Sequence, residues 1–199
     1  MFTVQYNFHL LSLKFLGFLV RLTMTFDFSD PFDRKSLDFN SKLAEGEYGF
    51  VYDATYKSHP VVVKCSKKEE NNEMIVMEYA ILKNLQSKDH TGVPHVGYSF
   101  KNEGKECFIM EKFDTDLEKY LKNTEEGKLS LKNTLLIALQ VLNTLKYVHT
   151  KGYLHADIKP DNLMIITDNK QIKTYLIDFG FASSYLNKGK IVCLSKTAK

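Results

Sequence analysis

The stretch HADIKPDNLMI, residues 155–165, and the LIDFG that follows it at 176–180 decide how this chain is read. In the first, His155, Asp157, Lys159 and Asn162 are gathered within eight positions, ahead of an apolar run. In the second, Asp178 ends an apolar strand and is followed by Phe and Gly. A carboxylate in that setting is costly unless a cation meets it. Asp157 is placed to accept a proton from an attacking hydroxyl. Lys159 can reach a transferring anionic group, and Asn162 can ligate a metal. Either stretch alone could be structural. Asp157 and Asp178, 21 positions apart with a hairpin between them, form a pattern that chance seldom assembles.

Two upstream stretches extend it. In LAEGEYGFVY (43–52), Gly46 and Gly49 fit the last two glycines of a G-x-G-x-x-G loop, with Val51 at the following offset and Ala44 in the place of the first glycine. Such glycines let backbone N–H groups approach phosphates. The chain continues as strand, which excludes a Rossmann fingerprint or a P-loop. Taken alone, the glycine pair reads more readily as a hairpin turn. In VVVKC (61–65), Lys64 ends an apolar strand. As a phosphate-gripping lysine it needs an orienting carboxylate. Glu78, one turn before Ile81 and Leu82, can face inward; Glu73, near the helix start, is the competitor.

The elements between these motifs follow from period. FVYDATY (50–56) and PVVVKC (60–65) read as a hairpin around KSH. NNEMIVMEYAILKNL (71–85) reads as a helix with Met74, Met77, Ile81, Leu82 and Leu85 near helical spacing. HVGYSF (95–100) and CFIME (107–111) read as two more strands around KNEGKE. After Glu111 the character turns helical. DTDLEKYLKN (114–123) reads as a short helix, and residues 130–152 as a long one, capped by Ser130 and ended by Gly152. Its expected buried stripe is Leu131, Leu135, Ala138, Leu139, Leu142, Leu145 and Val148. Strands at 163–166 and 174–177 close the pattern. The expectation is an α+β fold: an N-lobe over 27–111, a partial helical C-lobe over 112–186, and a tail at 187–199.

Composition agrees with a globular protein: 199 residues, 44% hydrophobic, 13% aromatic and 26% charged. A net charge of +3 gives no argument for a nucleic-acid partner, and runs such as KCSKKEENNE (64–73) mix both signs. Cys65, Cys107 and Cys193 are odd in number and lack metal-ligand spacing, so reduced thiols are expected. Residues 1–26 form an apolar extension. Its core, HLLSLKFLGFLV (9–20), is interrupted by Lys14, is short for a membrane span, and lacks the basic start of a signal peptide. Met24 is an alternative start, which leaves 1–23 as an upstream extension or an added helix.

In this order of motifs the chain resembles the eukaryotic protein kinases, over roughly residues 37–186. Lys159 is the serine/threonine-type signal. Within the family, GVPHV (92–96), residues 129–162 and YLIDFGFASSY (175–185) resemble the casein kinase 1 group, and its vaccinia-related and poxvirus branch in particular. The resemblance implies an ATP- and Mg²⁺-dependent kinase that phosphorylates Ser or Thr of a protein. Ala44, Gly46, Gly49, Val51 and Val62 then surround the nucleotide, and Lys64, paired with Glu78, holds its phosphates. Met110 is the gatekeeper, with Glu111 to Phe113 the hinge at the adenine. Asp157 is the base, Lys159 steadies the γ-phosphate, and Asn162 and Asp178 hold the metal. The implied location is the cytoplasm, that of a host cell if the source is viral.

Three departures qualify the resemblance. Ala44 replaces a loop glycine, but Gly46 keeps the close approach. Ala156 replaces the Arg of His-Arg-Asp, which implies no dependence on activation-loop phosphorylation. The sequence runs only to Lys199, nineteen residues past Gly180, without an A-P-E segment or a later helical half. A protein partner covering the missing half, or a non-catalytic nucleotide- or partner-binding role, is the alternative expectation. A small-molecule phosphotransferase of the aminoglycoside-kinase kind fits less well, given Lys159, the glycine loop and the G-V-P segment.

Overall fold

Strand β1 (Leu37–Glu45) begins an antiparallel meander that continues through β2 (Gly49–Tyr56) and β3 (His59–Ser66). This is a computed structural model, and it describes residues 28–88, 92–124, 126–168, 171–187 and 190–191. The chain divides into two units, Met1–Phe32 and Asp33–Lys199. Of the first, only residues 28–32 are described, so the apolar run at 9–20 lies outside the described residues. Most of the expected tail does too. Among the described residues no helix is long and apolar enough to cross a membrane.

The β2–β3 turn is two residues, Lys57 and Ser58, both with positive φ (47° and 65°). That backbone twist matches the right-handed twist of the flanking strands. A second such turn, Glu103–Gly104, joins β4 (Val96–Asn102) to β5 (Lys105–Glu111). The sheet order is β1-β2-β3-β5-β4. Helix α1 (Asn72–Asn84) lies against it through Ile75, Glu78, Ile81 and Leu82, with Tyr79 against Phe108 at 5.7 Å. One detail departs from the expected face: Met77 is half exposed, and Ile75 is the buried residue in that turn. A helix period fixes spacing but not the phase of a short, mostly apolar segment.

Beyond β5, Thr115–Asp116 form a short strand, β6, rather than the start of a helix; the helix α2 is Leu117–Lys122. Asp116 caps it by accepting from the Lys119 N–H. β6 pairs with β8 (Leu163–Asp168), which pairs with β9 (Gln171–Leu176). Helix α3 (Leu131–Thr150) packs on β9. Ser130 Oγ accepts from the Asn133 N–H, and Gly152, at φ +85°, leads the chain out into β7 (Tyr153–Leu154). Gln140 locks α3 to β9: its amide donates to the Ile172 carbonyl at 2.8 Å and accepts from the Thr174 N–H at 2.9 Å.

The expected buried stripe of α3 is corrected. Leu131, Leu135, Leu139 and Leu142 are 57–75% exposed, and Ala138 is exposed too. Val148 is buried and Leu145 partly buried as expected, and Ile137 and Thr144 complete the inward face. The helix is apolar on two faces, and only one meets the core. The cysteine expectation is corrected as well. Cys65 and Cys107 stand opposite one another in the β3–β5 register and are joined by a disulfide. Separation along the chain hides a pairing that the sheet creates.

One buried polar group joins the loop after β7 to the segment after β9. His155 is 1% exposed and packs edge-on against Phe179 at 4.6 Å. Its Nε2 lies 2.9 Å from the Ile177 carbonyl, and Nδ1 accepts from the Asp157 N–H at 3.3 Å. Both bonds are satisfied by one neutral tautomer. Burial lowers its pKa below the ordinary 6.5, against the opposing pull of the Ile177 carbonyl and Asp178.

Two outcomes test this packing. In urea denaturation Ile137→Ala should cost about 2–5 kcal/mol, as a buried large-to-small change, whereas Leu139→Gln should stay within about 0.5 kcal/mol; equal losses would mean that the leucine face is covered. For His155, the unfolded chain takes up a proton before the folded one does. The stability it contributes is full above 6.5 and drains as pH falls below that value. Glu78 and Glu111, whose carboxyls burial pushes up, act in the opposite sense. The melting temperature measured from pH 7.5 to 5.5 should therefore fall more steeply in the parent than in His155→Gln.

Candidate active site

Alternation along β3 puts Val62 and Lys64 on one face of the sheet. The ladder sets Ala44 opposite Val51 and Val51 opposite Lys64. Val62 stands opposite Met110 on β5. One sheet face thus gathers Ala44, Val51, Val62, Lys64 and Met110. Gly46 and Gly49 close the β1–β2 turn through a Gly46 N–H to Gly49 carbonyl bond of 2.9 Å. Gly49 has no room for a side chain: a Cβ there would lie 2.8 Å from the Cys65 carbonyl oxygen.

Lys64 is the centre. Its Nζ lies 2.7 Å from Glu78 on α1 and 2.8 Å from Asp178 Oδ1. Glu73, the competing carboxylate, is not its partner. Burial alone would lower the lysine pKa, but Glu78 and Asp178 outweigh it and hold the ammonium charged. Burial likewise pushes Asp178 up, and Lys64 overrides it, so that carboxyl sits below its ordinary range. Burial raises Glu78, against Lys64; contact with a charged ammonium favours its ionised form. The cation that the sequence demanded for Asp178 is therefore Lys64 in this state.

A second cluster stands in the loop after β7. Lys159 Nζ is 2.8 Å from Asp157 Oδ2. Asn162, 5% exposed, donates its amide to both the Asp157 backbone carbonyl and Oδ2, each at 2.9 Å. The bond from Lys159, reinforced by that from Asn162, holds the Asp157 carboxyl ionised below its ordinary range against the opposing effect of burial. The Ile177 N–H donates to the Asn162 carbonyl at 2.9 Å, tying this loop to the strand end before Asp178. Ala156 and Asp178 both have positive φ (65° and 60°), a region that costs a non-glycine residue and is held only by surrounding contacts.

The remaining predicted residues lie along the edge between β5 and β9. The Glu111 carboxyl accepts from the His95 N–H at 3.2 Å, and burial pushes it up. Phe113 rests on Tyr175 with ring centroids 4.6 Å apart. Lys112 ties this segment to β2 through Asp53 at 2.6 Å.

Sequence reasoning missed two residues. The Tyr48 ring, at the tip of the glycine turn, meets Phe181 edge-on at 5.9 Å. Together they cover a space of about 40 Å³ above Lys64, Glu78 and Asp178. Tyr48 sits between the two glycines already singled out, so its position was available. Phe181, directly after Asp-Phe-Gly, gave no signal of its own.

As a donor set, Asn162 and Asp178 suit a hard cation such as Mg²⁺, which takes one or two protein oxygens and fills its shell from phosphate and water. Asn162 commits its amide nitrogen to Asp157, which leaves the amide oxygen as the donor.

In a comparison with protein-family models, residues 37–198 match the protein kinase domain. That match takes in the five-stranded and three-stranded sheets, helices α1, α2 and α3, and every residue of the two charged clusters. The chain belongs to the protein kinase family.

Proposed function

We propose that this chain is a serine/threonine-type kinase similar to the casein kinase 1 and vaccinia-related group, moving the γ-phosphoryl of ATP to a Ser or Thr hydroxyl of a protein substrate in the cytoplasm. The observation that carries the reading is the pairing of two preformed clusters: Lys64 held by Glu78 and Asp178, and Asp157 held by Lys159 and Asn162. On this reading residues 27–111 are the nucleotide-covering lobe and residues 112–186 carry the catalytic loop.

The chemistry follows from what each group can do. The glycine turn and Ala44, Val51 and Val62 bound the nucleotide, with Met110 and the Glu111–Phe113 segment at its base. Lys64, whose Nζ is held by Glu78 and Asp178, is the group that would bind phosphate oxygens. Asn162 and Asp178 would hold Mg²⁺, whose contribution is to neutralise charge on the phosphates. Asp157 receives both its side-chain bonds on Oδ2, which leaves Oδ1 to take the proton of the substrate hydroxyl. Lys159 stands beside that oxygen pair, where it can balance charge on the group in transfer. Rate comes from position and charge rather than from covalent chemistry. With Ala156 in place of an Arg, no phosphate on the following segment is required to order the loop.

The test uses protein substrates and Mg²⁺–ATP. Phosphate should appear on Ser or Thr and not on Tyr. Asp157→Asn should slow transfer by about 10²–10⁴-fold while keeping thermal stabilisation by Mg²⁺–ATP. Asp178→Ala should lose that stabilisation. Phosphotyrosine as the product would sink the specificity. Stabilisation by Mg²⁺–ATP with no transfer to any hydroxyl would leave a nucleotide-binding protein in place of an enzyme.

A further inference from the structure

The sheet face turned away from Lys64 holds a second cavity, of about 230 Å³, that the site above does not use. Phe39, Tyr52, Cys65, Cys107, Glu103 and Lys105 line it. Phe39 and Tyr52 pack edge-on at 5.4 Å and form its aromatic wall. The disulfide between Cys65 and Cys107 forms part of this cavity's wall, although both residues are buried. Of the two cysteines, Cys65 is the more open, 5% exposed against 1%.

We propose that the Cys65–Cys107 pair is a thiol–disulfide exchange site, served by a small carboxylate-bearing thiol that enters this cavity. A water occupies roughly 30 Å³ of liquid, so the cavity has room for a thiol and part of its chain. Lys105 offers a charge to a carboxylate of the incoming molecule, and Glu103 one to its ammonium. The thiolate attacks Sγ of Cys65, the less buried of the two residues. The Cys65–Cys107 bond breaks, and its electron pair leaves with Cys107, which then takes a proton from water. A second thiol attacks the mixed disulfide, forms the external disulfide and releases Cys65 as a thiol. Two electrons and two protons have passed from two small thiols to the protein. An oxidised small disulfide runs the sequence backwards.

The backbone is prepared for both states. Cys107 Sγ lies 3.9 Å from the Lys105 carbonyl. A reduced Cys107 therefore has an acceptor for its S–H without moving. Beside the disulfide the β3–β5 register continues through Lys64↔Phe108 and Val63↔Ile109, a backbone pairing that does not pass through the sulfur bond. What changes is a cross-link between positions 42 residues apart. It ties the strand that carries Lys64 to the strand that leads to Glu111. Opening it frees the unfolded chain and lowers the melting temperature of the sheet.

The experiment needs no kinase activity. Full-length protein prepared without reductant is treated under native conditions with reduced glutathione, alkylated, and mapped by mass spectrometry. The linked Cys65–Cys107 peptide should give way to alkylated cysteines, and the melting temperature should fall by several degrees. Glutathione disulfide should restore both. In Cys107→Ala, glutathione disulfide should leave its adduct on Cys65; in Cys65→Ala, Cys107 should remain largely unmodified. A bond that yields to glutathione only after unfolding in urea would be a static cross-link and overturns the proposal. So would native protein in which both cysteines alkylate freely after glutathione disulfide. Should either variant fail to fold, the mapping of the parent protein decides alone.

Discussion

The Lys64 ammonium draws three parts of the chain to one point. It sits on β3, takes Glu78 from α1, and takes Asp178 from the turn that follows β9. Lys64 and Glu78 have side chains only 12% and 3% exposed, and taking such charges out of water costs of the order of several kcal/mol per ion even after relaxation, whereas Asp178, at 37%, keeps contact with water. The cost is recovered only because each group is within 2.8 Å of an opposite charge. Helix α1 therefore cannot rotate on the sheet, nor Asp178 swing away, without leaving a charge stranded. The apolar packing of Ile75, Leu82 and Phe108 holds the helix near the sheet; the ion triplet fixes which way it faces.

The second cluster is built by a different economy. Asp157 is exposed enough to keep water, so its charge costs little. Its position is set by the Asn162 amide, which bonds both its backbone and its side chain. His155 does the same work from beneath, one nitrogen to the Asp157 N–H and the other to the carbonyl just before Asp178. The two clusters are thus coupled through backbone rather than through a direct bond between their carboxylates. That coupling accounts for the left-handed backbone at Ala156 and Asp178. Each strained residue is clamped by hydrogen bonds from its immediate neighbours.

Much of this could be read from the sequence, and the failures share a cause. Strands, turns and the two loops carry local signatures, and the structure has them close to the expected places. Lys64 and Glu78 could be singled out because an inward helix position and a strand end leave few choices. Burial on α3 could not. Its sequence is apolar on two faces, and period alone does not say which face meets β9 and which carries Leu131, Leu135, Leu139 and Leu142. The cysteine pair failed for a related reason. Residues 65 and 107 become neighbours only through the order β3-β5-β4, in which strand five inserts beside strand three. The Tyr48–Phe181 contact likewise needs the glycine turn folded down over a residue far along the chain.

That aromatic contact bears on time rather than on affinity. The space left beneath the two rings, about 40 Å³, has room for a few waters and not for a triphosphate. On the function proposed above, a nucleotide reaching for Lys64 would first have to find the rings parted. Its arrival is then paced by how often Tyr48 lifts from Phe181, since binding that waits on a conformational change falls below the diffusive rate. The same rings, closed again behind the phosphates, would delay departure. On that reading the glycine turn would act as a turnstile, setting dwell times on both sides of the binding step without touching the chemistry between them.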